Sequence, residues 1–134
     1  MVKRHMAVND ATYIAPSSLL CRIQKDREAL ATLWSGLTEE QMIRRPSPQE
    51  DWSVKDVIAH ITWWEGFIKE RVTNLVNGAK SEPVEHHDVL NARAYEQHKD
   101  RPLAEVLAEF DTNWLRLEAL LSSLNDKQLN TPAY

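Results

Sequence analysis

Cysteine is almost absent from this chain: Cys21 stands alone among 134 residues. That excludes an internal disulfide and fits a reducing cytoplasm. Glycine and proline are also scarce, at 3 and 6 residues, too few to punctuate the many short strands of a β-barrel or sandwich. Positive charge is not in excess. The 16 Lys and Arg are outnumbered by 20 Asp and Glu, for a net charge of −4, so the basic footprint that phosphate-backbone binding requires is missing and nucleic acid is not an expected partner. No apolar run approaches the roughly 20 residues that span a bilayer, and the opening residues do not read as a secretory leader. The expectation is a cytoplasmic protein with no membrane partner. Internal repeats, a glycine-rich phosphate loop, a nucleophile elbow and a dinucleotide fingerprint are all lacking. What remains is 43% apolar and 27% charged residues, enough to build and coat the core of one domain.

The apolar residues recur at helical spacing. Residues 1–16 show no periodicity and read as a disordered or tag-like start, with Lys3, Arg4 and His5 ahead of Met6. Residues 17–134 read as one helical domain. A first helix from Ser17 carries Leu19, Ile23, Leu30, Leu33 and Leu37 on one face, and Gly36 is placed to end it in a left-handed conformation. Thr38 and Gln41 are spaced as a capping box for a short turn of helix, stopped by Pro46 and Pro48. A second long helix is expected from Ser53, with Asp56 as its reciprocal cap, to about Asn77 and Gly78. Ala79–Glu85 is expected as a loop, and Asp88–His98 as a polar helix with Val89, Leu90 and Tyr95 as its large anchors. After Asp100-Arg101-Pro102, a stripe of Leu103, Val106, Leu107, Phe110, Trp114, Leu117, Leu121 and Leu124 marks a third long helix, ended by Asn125-Asp126. The fold class is all-α.

The second helix bears two faces. Val54, Val57, Ile58, Ile61, Ile68, Val72, Leu75 and Val76 lie in one direction and read as its core stripe. His60, Trp63, Trp64, Phe67 and Arg71 gather roughly 130° around the axis, at about 100° per residue. Single tryptophans are usually core, and Trp34, Trp52 and Trp114 are read that way. A histidine among apolar rings has two readings. One is a half-buried imidazole bonded to a neighbour. The other is a titratable group at a small-molecule pocket. The ring neighbours favour the second, with His60 as the catalytic group and Trp63, Trp64, Phe67 and Arg71 as the binding wall.

Asp51-Trp52-Ser53-Val54-Lys55-Asp56-Val57-Ile58-Ala59-His60-Ile61-Thr62-Trp63-Trp64-Glu65 resembles the segment that opens the second helix of DinB/YfiT-like proteins. Leu37-Thr38-Glu39-Glu40-Gln41-Met42, Leu90-Asn91-Ala92-Arg93-Ala94-Tyr95 and Asp100-Arg101-Pro102-Leu103-Ala104-Glu105-Val106 are similar to that superfamily in the same order, and nearest to its ClbS/DfsB-like branch. The resemblance covers about residues 17–134 and implies an up-down-down-up four-helix bundle. It also implies, for many members, a nickel or zinc ion held by the histidine matching His60 and a His-x-x-x-His pair on the fourth helix. This sequence departs there. No histidine follows His98, and the chain stops at Tyr134, about where that helix should begin. The fourth long helix is thus expected to be missing, no cofactor is expected, and a divalent metal would need ligands from elsewhere. The ClbS/DfsB-like branch is similar in not relying on the three-histidine site, with a tyrosine in ClbS where His60 stands. By that resemblance the chain would be a hydrolase that detoxifies an electrophilic metabolite, with His60 as general acid and base. Glu65 and Arg71 read first as bundle-edge charges, and otherwise as groups orienting the imidazole or a ligand.

His86 and His87, with Glu82, Glu85 and Asp88, offer ligand atoms, but adjacent histidines rarely converge on one ion and the stretch reads as solvated. His98 suits the negative end of its helix, and Cys21 falls off the apolar face of its own. Leaving Trp63, Trp64 and Phe67 bare would cost several kcal/mol at about 25 cal/mol per Å2. They are covered by the Asp88–His98 segment, by a homodimer, or by chain beyond this sequence, and the homodimer is the expectation. The expected function is to act on or sequester a small metabolite. A non-catalytic binding or dimerisation module is the alternative. A metal site completed between subunits, with His86, His87 or His98 of a second copy reaching His60, is a further one.

Overall fold

A computed structural model describes residues 15–46, 52–80 and 82–130. Of the expected tag-like start at residues 1–16, residues 1–14 lie outside the described residues, as do Pro48 and the trailing Thr131–Tyr134, whereas Ala15 caps the first helix and Pro16 opens it. Among the described residues six helices follow one another: α1 (Pro16–Trp34), α2 (Glu39–Ile43), α3 (Val54–Val76), α4 (His87–His98), α5 (Leu103–Ser123) and α6 (Asp126–Asn130). Among the described residues there is no strand, and the fold is an all-α helical bundle. Three helices are long, and α4 is about half their length. No fourth long helix occurs among the described residues.

The starts of α2 and α3 are set by the side chains that the sequence nominates. Thr38 Oγ1 accepts from Gln41 N at 3.2 Å while Gln41 Oε1 accepts from Thr38 N at 2.8 Å. Ser53 and Asp56 repeat the arrangement at α3, at 3.1 and 3.0 Å. Each box satisfies donors that the first turn would otherwise leave bare. The expected end at Asn125-Asp126 is corrected: α5 stops at Ser123, and Asn125 starts α6 by accepting from Gln128 N at 2.8 Å. Gly36 is corrected too. Its φ is not positive; α1 closes instead through Leu37 N donating to Trp34 O at 3.0 Å, and among the described residues only Gly78, with φ of 93°, takes the left-handed region.

The core gathers Trp34 and Leu30 of α1, Met42 of α2, Ile58 and Ala59 of α3, and Leu103, Val106 and Phe110 of α5. Trp34 meets Phe110 edge-on at 5.4 Å between ring centres, a favoured aromatic geometry. Helix α3 is the hub: α5 packs most extensively against it, α4 crosses it, and α2 touches it, whereas α1 leans mainly on α5. That placement corrects the core stripe assigned to α3. Ile58, Ala59 and Thr62 are buried, but Val57, Ile68 and Val76 are exposed, because α1 does not lie along that side of α3. For the same reason Leu33 of α1 faces solvent.

Where α1 does approach α3, the contact is ionic. Arg27, 9% exposed, donates to Glu65 of α3 and to the Phe110 carbonyl of α5 at 3.0 Å. Its guanidinium lies 3.9 Å from the Phe110 ring centre and 4.7 Å from that of Trp114. Burial pushes the Glu65 carboxyl up, and Arg27 draws it back only in part. Glu65 is therefore a packing partner of α1, not an orienting group for His60.

Candidate functional site

Helix α4 lies over the aromatic face of α3. Its buried residues Leu90, Ala94 and His98 recur every four positions, so one stripe of α4 is pressed inward along its length. The indole of Trp64 donates to Asn91 Oδ1 at 2.8 Å, and that of Trp63 donates to Gln97 Oε1 at 2.9 Å. Trp63 stacks on Phe67, with 5.5 Å between centres and 13° between planes, and Trp64 stands edge-on to both. Covering of these rings is thus done in large part within the chain.

The expected site divides in two. His60 is half-buried, with Trp52 at 4.9 Å and Trp64 at 6.4 Å between ring centres, and Trp52 stacks in turn on Tyr95 at 6.0 Å. Beside His60, between α3 and α4, is a space of about 10 Å3 bordered by Trp52, Asp56, Ala59, Ala94, Tyr95 and His98. That volume suits a single water molecule and no metabolite. The Nδ1 atom of His60 is buried with no hydrogen-bond partner, and burial lowers the pKa of the ring. The imidazole is neutral near pH 7, with one nitrogen unsatisfied.

The larger opening is a groove of about 860 Å3 between α3, the end of α4 and α5. Trp63, Gly66 and Phe67 form its apolar floor, Lys69, Glu70, Thr73 and Asn74 continue it along α3, and Gln97, His98, Arg101, Glu109 and Asn113 close the far side. Trp63 and Phe67 of the expected binding wall line this groove; His60, Trp64 and Arg71 do not. Arg71 extends toward the loop, to the Glu82 carbonyl at 3.4 Å. Gly66 matters sterically: a Cβ there would sit 3.7 Å from Asn113 Nδ2, so any larger side chain projects across the gap.

His98 borders both spaces. It is 8% exposed, and its Nδ1 lies 3.2 Å from Arg101 Nη1, which also holds Glu109. A guanidinium only donates, so His98 Nδ1 is the acceptor and Nε2 carries the proton. Burial first, then Arg101 and Lys55, lower its pKa, and Glu109 opposes them. Lys55 fastens this corner by donating to the carbonyls of Lys99 at 3.1 Å and Arg101 at 2.6 Å. Sequence reasoning assigned His98 to the helix dipole, or to a metal site completed between two copies, and not to this groove. The signal was present, since His98 continues the Leu90–Ala94 stripe at the same four-residue step.

A three-ligand metal site at His60 does not fit the described residues. The groups around its unpaired nitrogen are rings, methyls, one carboxylate and His98, and no trio of ligand atoms converges there. The trio that does converge is His86, His87 and Asp88, on the exposed start of α4. No helix is long and apolar enough to cross a membrane among the described residues.

No curated protein and no solved structure matches this chain. A family model of the DinB superfamily matches residues 22–134, which takes in α1 from its second turn through α6 and every residue of both spaces. By that match, carried over most of its length, the chain belongs to the DinB superfamily.

Proposed function

We propose that this chain takes up a small, partly apolar metabolite in the groove between α3, α4 and α5. The observation that carries the reading is the groove itself. Its volume of about 860 Å3 lies within the range of small-molecule sites, and an aromatic floor facing a few polar groups is their usual lining. Trp63 and Phe67 would take the flat or apolar part of the ligand. Gln97, Asn113 and the Arg101–Glu109 pair would meet its polar edge. His98 supplies a neutral imidazole at the wall, and His60 stands behind it across the one-water space.

In line with the likeness to the ClbS/DfsB-like branch, we extend the reading to detoxification of an electrophile. The oxygen of a water molecule bonds to a strained or polarised carbon as that carbon's bond to a ring carbon or a leaving oxygen breaks, an imidazole accepts the water's proton, and the proton passes to the carbon or oxygen that leaves with the electron pair. A neutral histidine suits both transfers. The non-catalytic alternative has its own support, because His60 has Trp52 and Trp64 beside it and borders, with Ala94, Tyr95 and His98 of α4, a space too small for a metabolite.

The test is a thermal-shift screen of apolar, aromatic and electrophilic metabolites, since a ligand that binds only the folded state raises its melting temperature. Hits should lose their effect in Trp63→Ala. With a hit in hand, His60→Gln and His98→Gln separate the two readings: turnover lost while binding persists supports catalysis. A hit bound unchanged, with no product formed even by the wild type, supports sequestration. Hits that stabilise Trp63→Ala as well as the wild type would remove the groove from consideration.

A further inference from the structure

We propose that His86, His87 and Asp88 form a binding site for a divalent transition-metal ion, separate from the groove and from His60. Two neighbouring residues inside a helix point about 100° apart, which is why adjacent histidines rarely share an ion. His86 escapes that rule. It is the N-cap of α4, with extended backbone at φ −57° and ψ 142°, while His87 is the first helical residue. The bend between them folds the two imidazoles together, 4.2 Å between ring centres. The expectation that they would not converge is corrected by this geometry.

Asp88 stands between the rings. Its Oδ2 lies 3.4 Å from His86 Nδ1, and its Oδ1 lies 3.3 Å from His87 Nε2. Two ligand atoms of a tetrahedral zinc ion, each bonded at about 2.0–2.1 Å, stand about 3.3 Å apart. Each separation, taken to a different Asp88 oxygen, is close to that spacing, and the ligand atoms of all three residues lie within 4.8 Å of one another, so rotation of exposed side chains brings them onto one ion. All three side chains are exposed, so solvent can complete the coordination shell. The positive end of α4 opposes a cation. The Asp88 carboxylate cancels that field at the ligand itself. Loading His86 through Nδ1 gives up one exposed bond, the 3.2 Å cap to Asp88 N. Two imidazoles and one carboxylate select zinc, nickel or copper over magnesium and calcium, which prefer oxygen alone.

The test uses the full chain without an affinity tag and zinc chloride as the probe, followed by calorimetry and by the histidine ring resonances in NMR. One ion per chain is expected, with the His86 and His87 rings shifting first and magnesium giving no saturable uptake. His87→Gln is the discriminating variant. His87 makes no cap, so a purely structural role for the cluster leaves zinc uptake unchanged, whereas the site predicts a loss of about tenfold or more in affinity. Asp88→Asn should weaken zinc as well, and circular dichroism of each variant checks that α4 is retained. The proposal is overturned if the wild type takes up no zinc, if His87→Gln binds it as well as the wild type, or if uptake disappears in His60→Gln instead.

Discussion

Arg27→Met removes a guanidinium from between α1, α3 and α5 while keeping much of the side chain's apolar stem. The Arg27 and Glu65 side chains are 10% and 13% exposed, so the pair is largely withdrawn from water. Removing one partner of such a pair costs about 3–5 kcal/mol, because the other charge stays buried without compensation. The Phe110 carbonyl also loses its 3.0 Å donor, and the rings of Phe110 and Trp114 lose the cation above them. One oxygen of Glu65, Oε1, is already buried without a partner, which leaves the carboxylate little to fall back on. Against a total stability of about 5–15 kcal/mol, the loss is about a fifth or more, or roughly 10–20 °C in melting temperature. Urea denaturation with an unchanged slope is the assay. The deficit should be smallest at acid pH. Burial holds the Glu65 carboxyl up even in the wild type, and without Arg27 it rises further. A raised carboxyl lends stability below its unfolded value and loses it as pH climbs through the folded one. In Arg27→Met/Glu65→Leu the uncompensated charge is gone, and several kcal/mol should return relative to Arg27→Met. A loss below about 1 kcal/mol in the single variant, the range of surface pairs, or a double variant no more stable than the single one, refutes the reasoning.

Ser53→Ala should cost about 1 kcal/mol by leaving the Asp56 amide without its cap, read as a lower urea midpoint and restored in Ser53→Thr. His60 and His98 both have lowered pKa values, so their contribution to stability is complete above about 6.5, the unfolded value, and is lost as pH falls through the folded values. The urea midpoint should therefore drop between pH 7.5 and pH 5, and His60→Gln/His98→Gln should flatten that part of the profile; a slope unchanged in the double variant would mean that neither ring is held neutral by burial. Trp64→Phe keeps the ring but loses the 2.8 Å bond to Asn91, and amide exchange in α4 should quicken while α5 is unaffected.

Much of the fold was legible in the sequence because its determinants are local. Both capping boxes need only a hydroxyl and an acceptor three residues on. The α5 stripe from Leu103 to Leu124 holds because α5 faces the interior along nearly its whole length, with Leu103, Val106, Phe110, Leu117 and Leu124 all buried. The direction in which α3 is buried was not legible. A helical wheel finds the most apolar arc, but which arc is covered depends on where α1, α4 and α5 come to rest, and they cover Ala59 and Thr62 while leaving Ile68 and Val76 bare. The aromatic face was visible as a cluster, yet its partition was not. Trp64 bonds Asn91 early in α4 and His60 faces the small space beside it, whereas Trp63 bonds Gln97 at the end of α4 and lines the groove with Phe67, a division set by where α4 comes to rest. Arg27 was hidden for a related reason: an arginine near a leucine face reads as solvent-exposed until Glu65 is known to lie opposite.

The groove as ligand site is tested most directly by one comparison: binding of a screening hit to the wild type and to Gly66→Leu, followed by amide and indole shifts in NMR. Gly66 sits on the groove floor, and a leucine there fills the space in front of Asn113 without touching the His60 enclosure or the core. The account predicts shifts confined to the Trp63 indole, Gly66, Gln97 and Asn113 in the wild type, and binding abolished in a Gly66→Leu protein that remains folded. Undiminished binding in Gly66→Leu, or shifts centred away from α3, α4 and α5, would contradict it.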